Sequence, residues 1–270
     1  MLADKANWVR RELLRINQRA PETRVASSLS AVEIFTALYY GGVINQFPAN
    51  PLSPDRDRCI ISKGHGSICM YPILADLGFF PESQLKNVCK TGSFLGGIPD
   101  PVIPGYETVN GSLGHGLGVA TGIALALKRK GATESVFVVC GDGELHEGSN
   151  WEAIMFASQH QLDNLNVVID NNAISMLGFT DEIVSHAGFG ERFEAFGWSF
   201  FHEPSGHDAD QITDILMQVK KSKAKKPKVV VVDTVKGFGV PNLENHPLSH
   251  VLPADRSHVT DVLKGSTNDR

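Results

Sequence analysis

Cysteine is scarce in this sequence and shows no pattern. There are four residues, Cys59, Cys69, Cys89 and Cys140, with no C-x-x-C pair and no disulfide-framework spacing. Such thiols suit a reducing cytosol, and Cys140 is expected to pack at a strand end as a small apolar residue rather than act as a nucleophile. Long apolar runs are missing too. No segment approaches the ~20 apolar residues of a membrane span, and the N-terminal stretch lacks the apolar core of a signal peptide. Positive charge is in deficit: the formal net charge is −5. A protein that tracks phosphates needs a basic surface, so non-specific nucleic-acid binding is disfavoured. The main lysine cluster, residues 220–228, is expected to be the solvated end of a helix before a strand. Internal repeats and low-complexity linkers are absent. The expectation is a soluble, cytoplasmic protein that engages neither nucleic acid nor membrane.

What remains is ordinary globular composition, 42% hydrophobic and 20% charged over 270 residues. That length suits one large α/β domain over residues 1–270, burying roughly 75% of its unfolded surface. Apolar periodicity predicts helices over 4–19 (Trp8, Leu13 and Ile16 inward), 31–39, from Gly66 to Leu77, 118–130, 149–161, 188–196 and 208–221. Short strands are predicted over 58–62, 135–140, 165–169, 198–202 and 229–233. Residues 41–57 and 90–117 read as Gly/Pro-rich loops, and a loop as long as the second, inside a compact domain, is usually functional. The end from about 237 reads as loop-rich. The Ser149 to Glu152 spacing fits a capping box. The small apolar face of residues 118–127 reads as core packing.

The most informative spacing joins Gly141-Asp142-Gly143-Glu144 to Asn171-Asn172, thirty residues apart from Asp142 to Asn172. Each group follows a short apolar run that reads as a buried parallel strand, and the interval fits a β-α-β unit. Asp142 and Asn172 can therefore meet at the carboxyl edge of the sheet, where open α/β sheets bind ligands. A carboxylate and an amide oxygen suit Mg²⁺ or Ca²⁺, and an ion there can hold a diphosphate.

The same run, with Asn171-Asn172 downstream, matches the thiamine diphosphate motif that opens Gly-Asp-Gly and closes Asn-Asn. Together with Ser62-Lys63-Gly64-His65-Gly66, Gly111-Ser112-Leu113-Gly114-His115-Gly116, Gly206-His207-Asp208 and Thr234-Val235-Lys236-Gly237-Phe238-Gly239, it makes the chain resemble the cofactor-binding half of transketolase. The resemblance implies a three-layer α/β domain with a mostly parallel sheet. It implies that Asp142, Asn172 and the carbonyl of Ile174 ligate the divalent ion and that Gly143 gives the diphosphate close backbone approach, with Gly141 and Glu144 in the same segment. His65 and His250 would lie by the diphosphate and the reacting carbon. Gly111 and Leu113 would meet the aminopyrimidine, and Met176 the thiazolium. Glu147 and Glu152 would be acidic residues at a subunit contact, and Glu152 has the alternative reading of a helix cap. His146, His160, His186 and His202 match nothing in the family and read as surface or structural.

Three positions depart from the family pattern. Thr23-Arg24-Val25 and Gly97-Ile98-Pro99 stand where Gly-His-Pro is usual, and Leu113-Gly114-His115-Gly116 where Leu-Gly-Gln-Gly is. Arg24 offers a fixed cationic fork to an anion, and Ile98 leaves a hydroxyl unpaired, so a donor or acceptor outside the pentose phosphates is expected. The pyrimidine-binding domain, with its activating glutamate, is not in this sequence. The chain thus resembles one subunit of a split transketolase, moving a two-carbon ketol unit from a ketose or 2-oxo acid to an aldehyde. The expected partner is a second chain carrying that domain, in a dimer of heterodimers. Two rival readings are the α subunit of a two-chain 2-oxo acid dehydrogenase or decarboxylase and a non-catalytic binding or regulatory paralogue.

Overall fold

Valine-rich strands that are apolar at every position can only sit in a sheet covered on both faces. The computed structural model, which describes residues 1–185 and 188–265, has such a sheet. Strands β1 (Arg58–Ile61), β2 (Val136–Gly141), β3 (Leu165–Asn171), β4 (Ser199–Glu203) and β5 (Lys228–Asp233) are all parallel, in the order β1-β2-β3-β5-β4. The helices are α1 (Leu2–Arg19), α2 (Val25–Leu29), α3 (Val32–Tyr40), α4 (Met70–Asp76), α5 (Gly116–Arg129), α6 (Gly148–Gln159), α7 (Thr180–Ile183), α8 (Phe189–Ala195), α9 (Ala209–Lys221) and α10 (Arg256–Gly265).

The period of two along each strand divides the core. Phe137, Val139, Val168, Val230 and Val232 face the layer built from α1, α3, α4 and α9. Val136, Val138, Cys140, Val167, Ile169, Val229 and Val231 face α5, α6 and α8. Three layers result, and Cys140 is the buried apolar residue expected of it. No helix among the described residues is long and apolar enough to cross a membrane.

Several local expectations need correction. Glu152 does not cap α6. The N-cap is Glu147, without a side-chain hydrogen bond, and Ser149 lies one residue inside the helix, its hydroxyl donating to the Gly114 carbonyl at 3.0 Å. The lysine cluster is not uniformly solvated. Lys220 pairs with Asp57 at 2.7 Å, and Lys228 is buried with its ammonium on the Asp163 carbonyl. The segment after residue 66 begins as a 3-10 turn, Gly64–Cys69, before α4. The C-terminal end contains α10, which begins where Asp255 Oδ1 accepts from the N–H groups of Ser257 and His258 at 2.7 and 3.2 Å. Its Val259 is buried against the core that contains α1. The face of α5 is only half core: Leu117, Ala120 and Ala124 are buried, while Gly118, Val119 and Gly122 are exposed.

Candidate active site

Parallel strands place all their C-termini on one edge, and the ends of β1, β2, β3 and β5 lie side by side there. Gly141 is in register with Asp170, and Asp142 N–H donates to the Asp170 carbonyl at 3.2 Å. Asp142 and Asn172 therefore leave adjacent strand ends at the same level. They line a cavity of ≈ 550 Å³ together with Arg24, His65, Ile98, Gly111, Leu113, Gly141, Gly143, Glu144, Ile174, Met176 and His250. A second cavity of equal volume, beside β4 and lined by Glu194, Phe200 and His202 among others, contains none of the candidate residues.

Donors and acceptors around the cavity are specific. Asp142 is 2% exposed; its Oδ2 accepts from the Thr180 hydroxyl at 2.7 Å, and burial pushes its carboxyl pKa up. A buried carboxylate with so little compensation favours a cation at its side. Asn172 Oδ1 accepts from the Ile174 N–H at 3.2 Å, which holds Ile174 beside Asn172 at the cavity wall. One carboxylate, one amide and one carbonyl oxygen form a hard donor set that fits Mg²⁺ or Ca²⁺ completed by phosphate oxygens. Among the described residues no group of three or more His, Cys, Asp or Glu side chains could hold a metal, so any ion here depends on those neutral oxygens. A Cβ on Gly143 would come within 3.0 Å of the Ser175 hydroxyl. Its absence leaves the cavity floor open to a diphosphate.

Glu144 shapes the wall instead of facing a ligand. Its Oε1 accepts from the Ser62 hydroxyl and from Gly114 N–H at 2.9 Å, and its Oε2 from Gly141 N–H at 3.1 Å. His65 and His250 meet edge to face, ring centroids 5.3 Å apart. Burial, then the charges of Lys236, Arg24 and Lys63, hold His250 down at about 4. His65 is lowered well below its usual value by burial first and Lys63 second. Both rings are neutral at pH 7.

Two lysines were overlooked in the sequence reading. Lys63, fully buried, pairs with Asp170, which also accepts from Ser30 and Thr234. Burial alone would raise the Asp170 carboxyl, but Lys63 and the two hydroxyls more than offset it and hold it below its usual range. Lys236, 2% exposed, donates to the carbonyls of Ile174 and Ser175 at 3.1 Å each, and burial with Lys63 nearby lowers its ammonium to about 8. Both lysines stand beside a glycine just past the end of a strand, at the carboxyl edge that opens on the cavity. That signal was available in the sequence.

The remaining candidate residues lie outside the cavity or at its rim. His115 is exposed at the N-cap of α5. Glu147 and Glu152 are exposed around the start of α6. Arg24 is exposed at the cavity mouth, 3.4 Å from the His250 carbonyl, and Ile98 is 55% exposed on its wall. His146 approaches the Val184 carbonyl, His160 lies tilted against the Phe156 ring and His202 pairs with Asp233, all outside the cavity. His186 lies outside the described residues.

Residues 6–265 match the family model described as transketolase, thiamine diphosphate binding domain. The chain is 40% identical over 251 residues to one subunit of the apulose-4-phosphate transketolase of Actinobacillus succinogenes, covering 92% of this chain and 90% of that protein. It is 34% identical over 250 residues to 6-deoxy-6-sulfo-D-fructose transketolase subunit SqwG of a Clostridium species, covering 92% and 90%. Transketolase from Campylobacter jejuni superposes with a TM-score of 0.91 at 30% identity, covering 98% of this chain and 42% of that one. The chain thus spans about two fifths of the solved transketolase it matches.

Proposed function

The chain belongs to the transketolase family, in its thiamine diphosphate-binding domain, and from that premise we propose that it is the cofactor-anchoring subunit of a two-chain enzyme. The enzyme transfers a two-carbon ketol unit from a ketose or 2-oxo acid to an aldehyde. The observation that carries the reading is the convergence of Asp142, Asn172 and Ile174 on one cavity at the carboxyl edge.

In this reading Asp142, Asn172 and Ile174 hold Mg²⁺ or Ca²⁺, and Lys236 joins them at the diphosphate. The cofactor, when bound, supplies the carbanion chemistry that a protein side chain cannot. The protein's part is to bind, orient and exclude water. Gly143 allows the diphosphate its close approach, and Gly111, Leu113 and Met176 flank the rings. His65 and His250, kept neutral, can accept or donate a hydrogen bond beside the reacting carbon without adding charge. Glu147 and Glu152 sit at a contact between subunits.

Relatives of similar coverage are named as single subunits of transketolases, which supports a partner chain. That partner would bring the pyrimidine-binding domain and the activating carboxylate, within a dimer of heterodimers in the cytoplasm. At the cavity mouth Arg24 suits an anionic group on a substrate, and Ile98 offers no hydrogen bond to a hydroxyl. Both favour substrates other than the common pentose phosphates; His115, outside the cavity, has no direct part in this.

The test is reconstitution with the partner chain and assay against a panel of ketose and 2-oxo acid donors. Turnover is expected only with both chains, thiamine diphosphate and Mg²⁺. Asp142→Asn is expected to weaken cofactor binding on the order of 100-fold, given that even outer-shell changes at metal sites cost 10–100-fold. The unfolding midpoint of the cofactor-free protein should hold or rise, because the change removes a charge that burial disfavours while an amide oxygen can still accept from Thr180. Robust turnover by this chain alone would refute the two-chain reading. Xylulose 5-phosphate and ribose 5-phosphate emerging as the best pair in the panel would refute the specialised substrate.

A further inference from the structure

A buried polar network outside the cavity ties down the loop that carries Lys236. Gly206-His207-Asp208 joins β4 to α9, and a Cβ on Gly206 would lie 2.0 Å from the Asp233 carbonyl oxygen. Glycine alone permits that approach, which brings the His207 ring against the loop after β5. Val235 donates its backbone N–H to His207 Nε2 at 2.8 Å. A backbone amide can only donate, so Nε2 carries a lone pair and the proton of the neutral ring sits on Nδ1. Nδ1 lies 3.0 Å from Glu33 Oε2.

Glu33, 3% exposed, accepts at its other oxygen from Arg10 Nη2 at 2.7 Å. Arg10 Nε in turn donates to the Phe238 carbonyl at 3.2 Å, so the network returns to the same loop. The imidazole stacks on the Phe238 ring with centroids 3.7 Å apart and planes 10° apart, and the Arg10 guanidinium lies 4.9 Å from that ring. Val235 and Phe238 are thus both held from outside the loop, and Lys236 lies between them. Gly237 N–H adds an anchor on the Ala26 carbonyl at 3.0 Å.

We infer that His207 is a positioning residue for cofactor binding: oriented by Glu33, it holds the Val235 N–H and so sets the backbone from which Lys236 reaches the diphosphate end of the cavity. The inference rests on the proposed site at Asp142, Asn172 and Lys236. A lysine side chain carries a large rotamer entropy, and an unfixed backbone would add to what must be ordered when the ligand enters. Without the imidazole, the Val235 N–H loses its acceptor and the buried Glu33 carboxylate loses a donor.

The test uses the chain purified with its partner. His207→Gln can donate to Glu33 and accept from Val235, whereas His207→Phe keeps the ring stack and loses both hydrogen bonds. Hydrogen exchange over residues 234–239, read by mass spectrometry without cofactor, is expected to be about tenfold faster in the Phe variant and near wild type in the Gln variant. Calorimetry with thiamine diphosphate and Mg²⁺ is expected to show about tenfold weaker binding for the Phe variant, restored by Gln, with turnover at saturating cofactor retained in both. If the Phe variant does not fold, His207→Leu takes its place. A Gln variant as weak as the Phe variant overturns the inference, and so does faster exchange with unchanged affinity. A wild-type complex that binds no cofactor overturns the reading of the site instead, and the exchange measurement still decides whether His207 holds the loop.

Discussion

Burial of charge governs the individual residues of this site. Lys63, Asp170, Asp142, Glu144 and Lys236 are all nearly inaccessible, yet only Lys63 and Asp170 form a direct ion pair. Breaking such a pair typically costs about 3–5 kcal/mol, because the remaining charge stays buried and uncompensated. The histidines give the site a pH signature. An unfolded histidine takes its proton near 6.5, whereas folded His250 resists until about 4 and His65 is lowered as well. Between those values the unfolded chain binds protons that the folded chain refuses. The stability these two neutral rings contribute is therefore full above about pH 6.5 and declines as the pH falls toward 4. His250→Asn is expected to flatten part of that decline, measured as unfolding midpoint against pH. An identical slope in the variant would show that His250 does not contribute.

Among the elements, those the sequence concealed are the short and the terminal ones. Strands β2 and β5 were legible because residues 136–140 and 229–232 are apolar at every position, and α9 because its buried Ile212, Leu216 and Val219 recur at helical spacing. The buried five-residue α2 and the four-residue α7 are shorter than a helical period can reveal. The helix α10 did leave a signal, an Asp255 cap followed by Val259, Val262 and Leu263, and it was hidden by the Pro- and Asn-rich stretch before it. Asp255→Ala removes the cap on two backbone N–H groups at the start of α10. The amides of α10 are then expected to exchange about fivefold faster while the exchange of β3 is unchanged. Equal acceleration in both would mean that α10 unfolds only with the whole domain.

For the whole molecule, the domain leaves an apolar surface open. Val119 on α5 and Met155 and Phe156 on α6 are 44%, 48% and 44% exposed, beside the open Gly118 and Gly122. Exposed apolar side chains of this kind suit a contact with another chain, and they lie on α5 and on α6, which follows Glu147 and carries Glu152. Phe156→Asp is expected to weaken assembly of the reconstituted enzyme about tenfold or more, by sedimentation, because a charge replaces an aromatic ring that assembly would bury. The unfolding midpoint of this chain alone should change little. Intact assembly of the variant would remove this face from the interface.

By itself the sequence determined the buried parallel strands and the meeting of Asp142 with Asn172. Each follows from local patterns: continuous apolar runs, a glycine turn after such a run, and a β-α-β interval that leaves neighbouring strand ends level. Tertiary structure decided the rest, since it depends on segments far apart in the chain. Lys63 meets Asp170 and Glu144 meets Ser62 only when β1, β2 and β3 pair. Lys236 reaches Ile174 only because β5 inserts beside β3, and the Arg10, Glu33 and His207 network forms only when α1, α3 and the turn after β4 close on the same loop. Local propensity carries no record of such contacts; they arise from the sheet order and the packing of helices on its two faces.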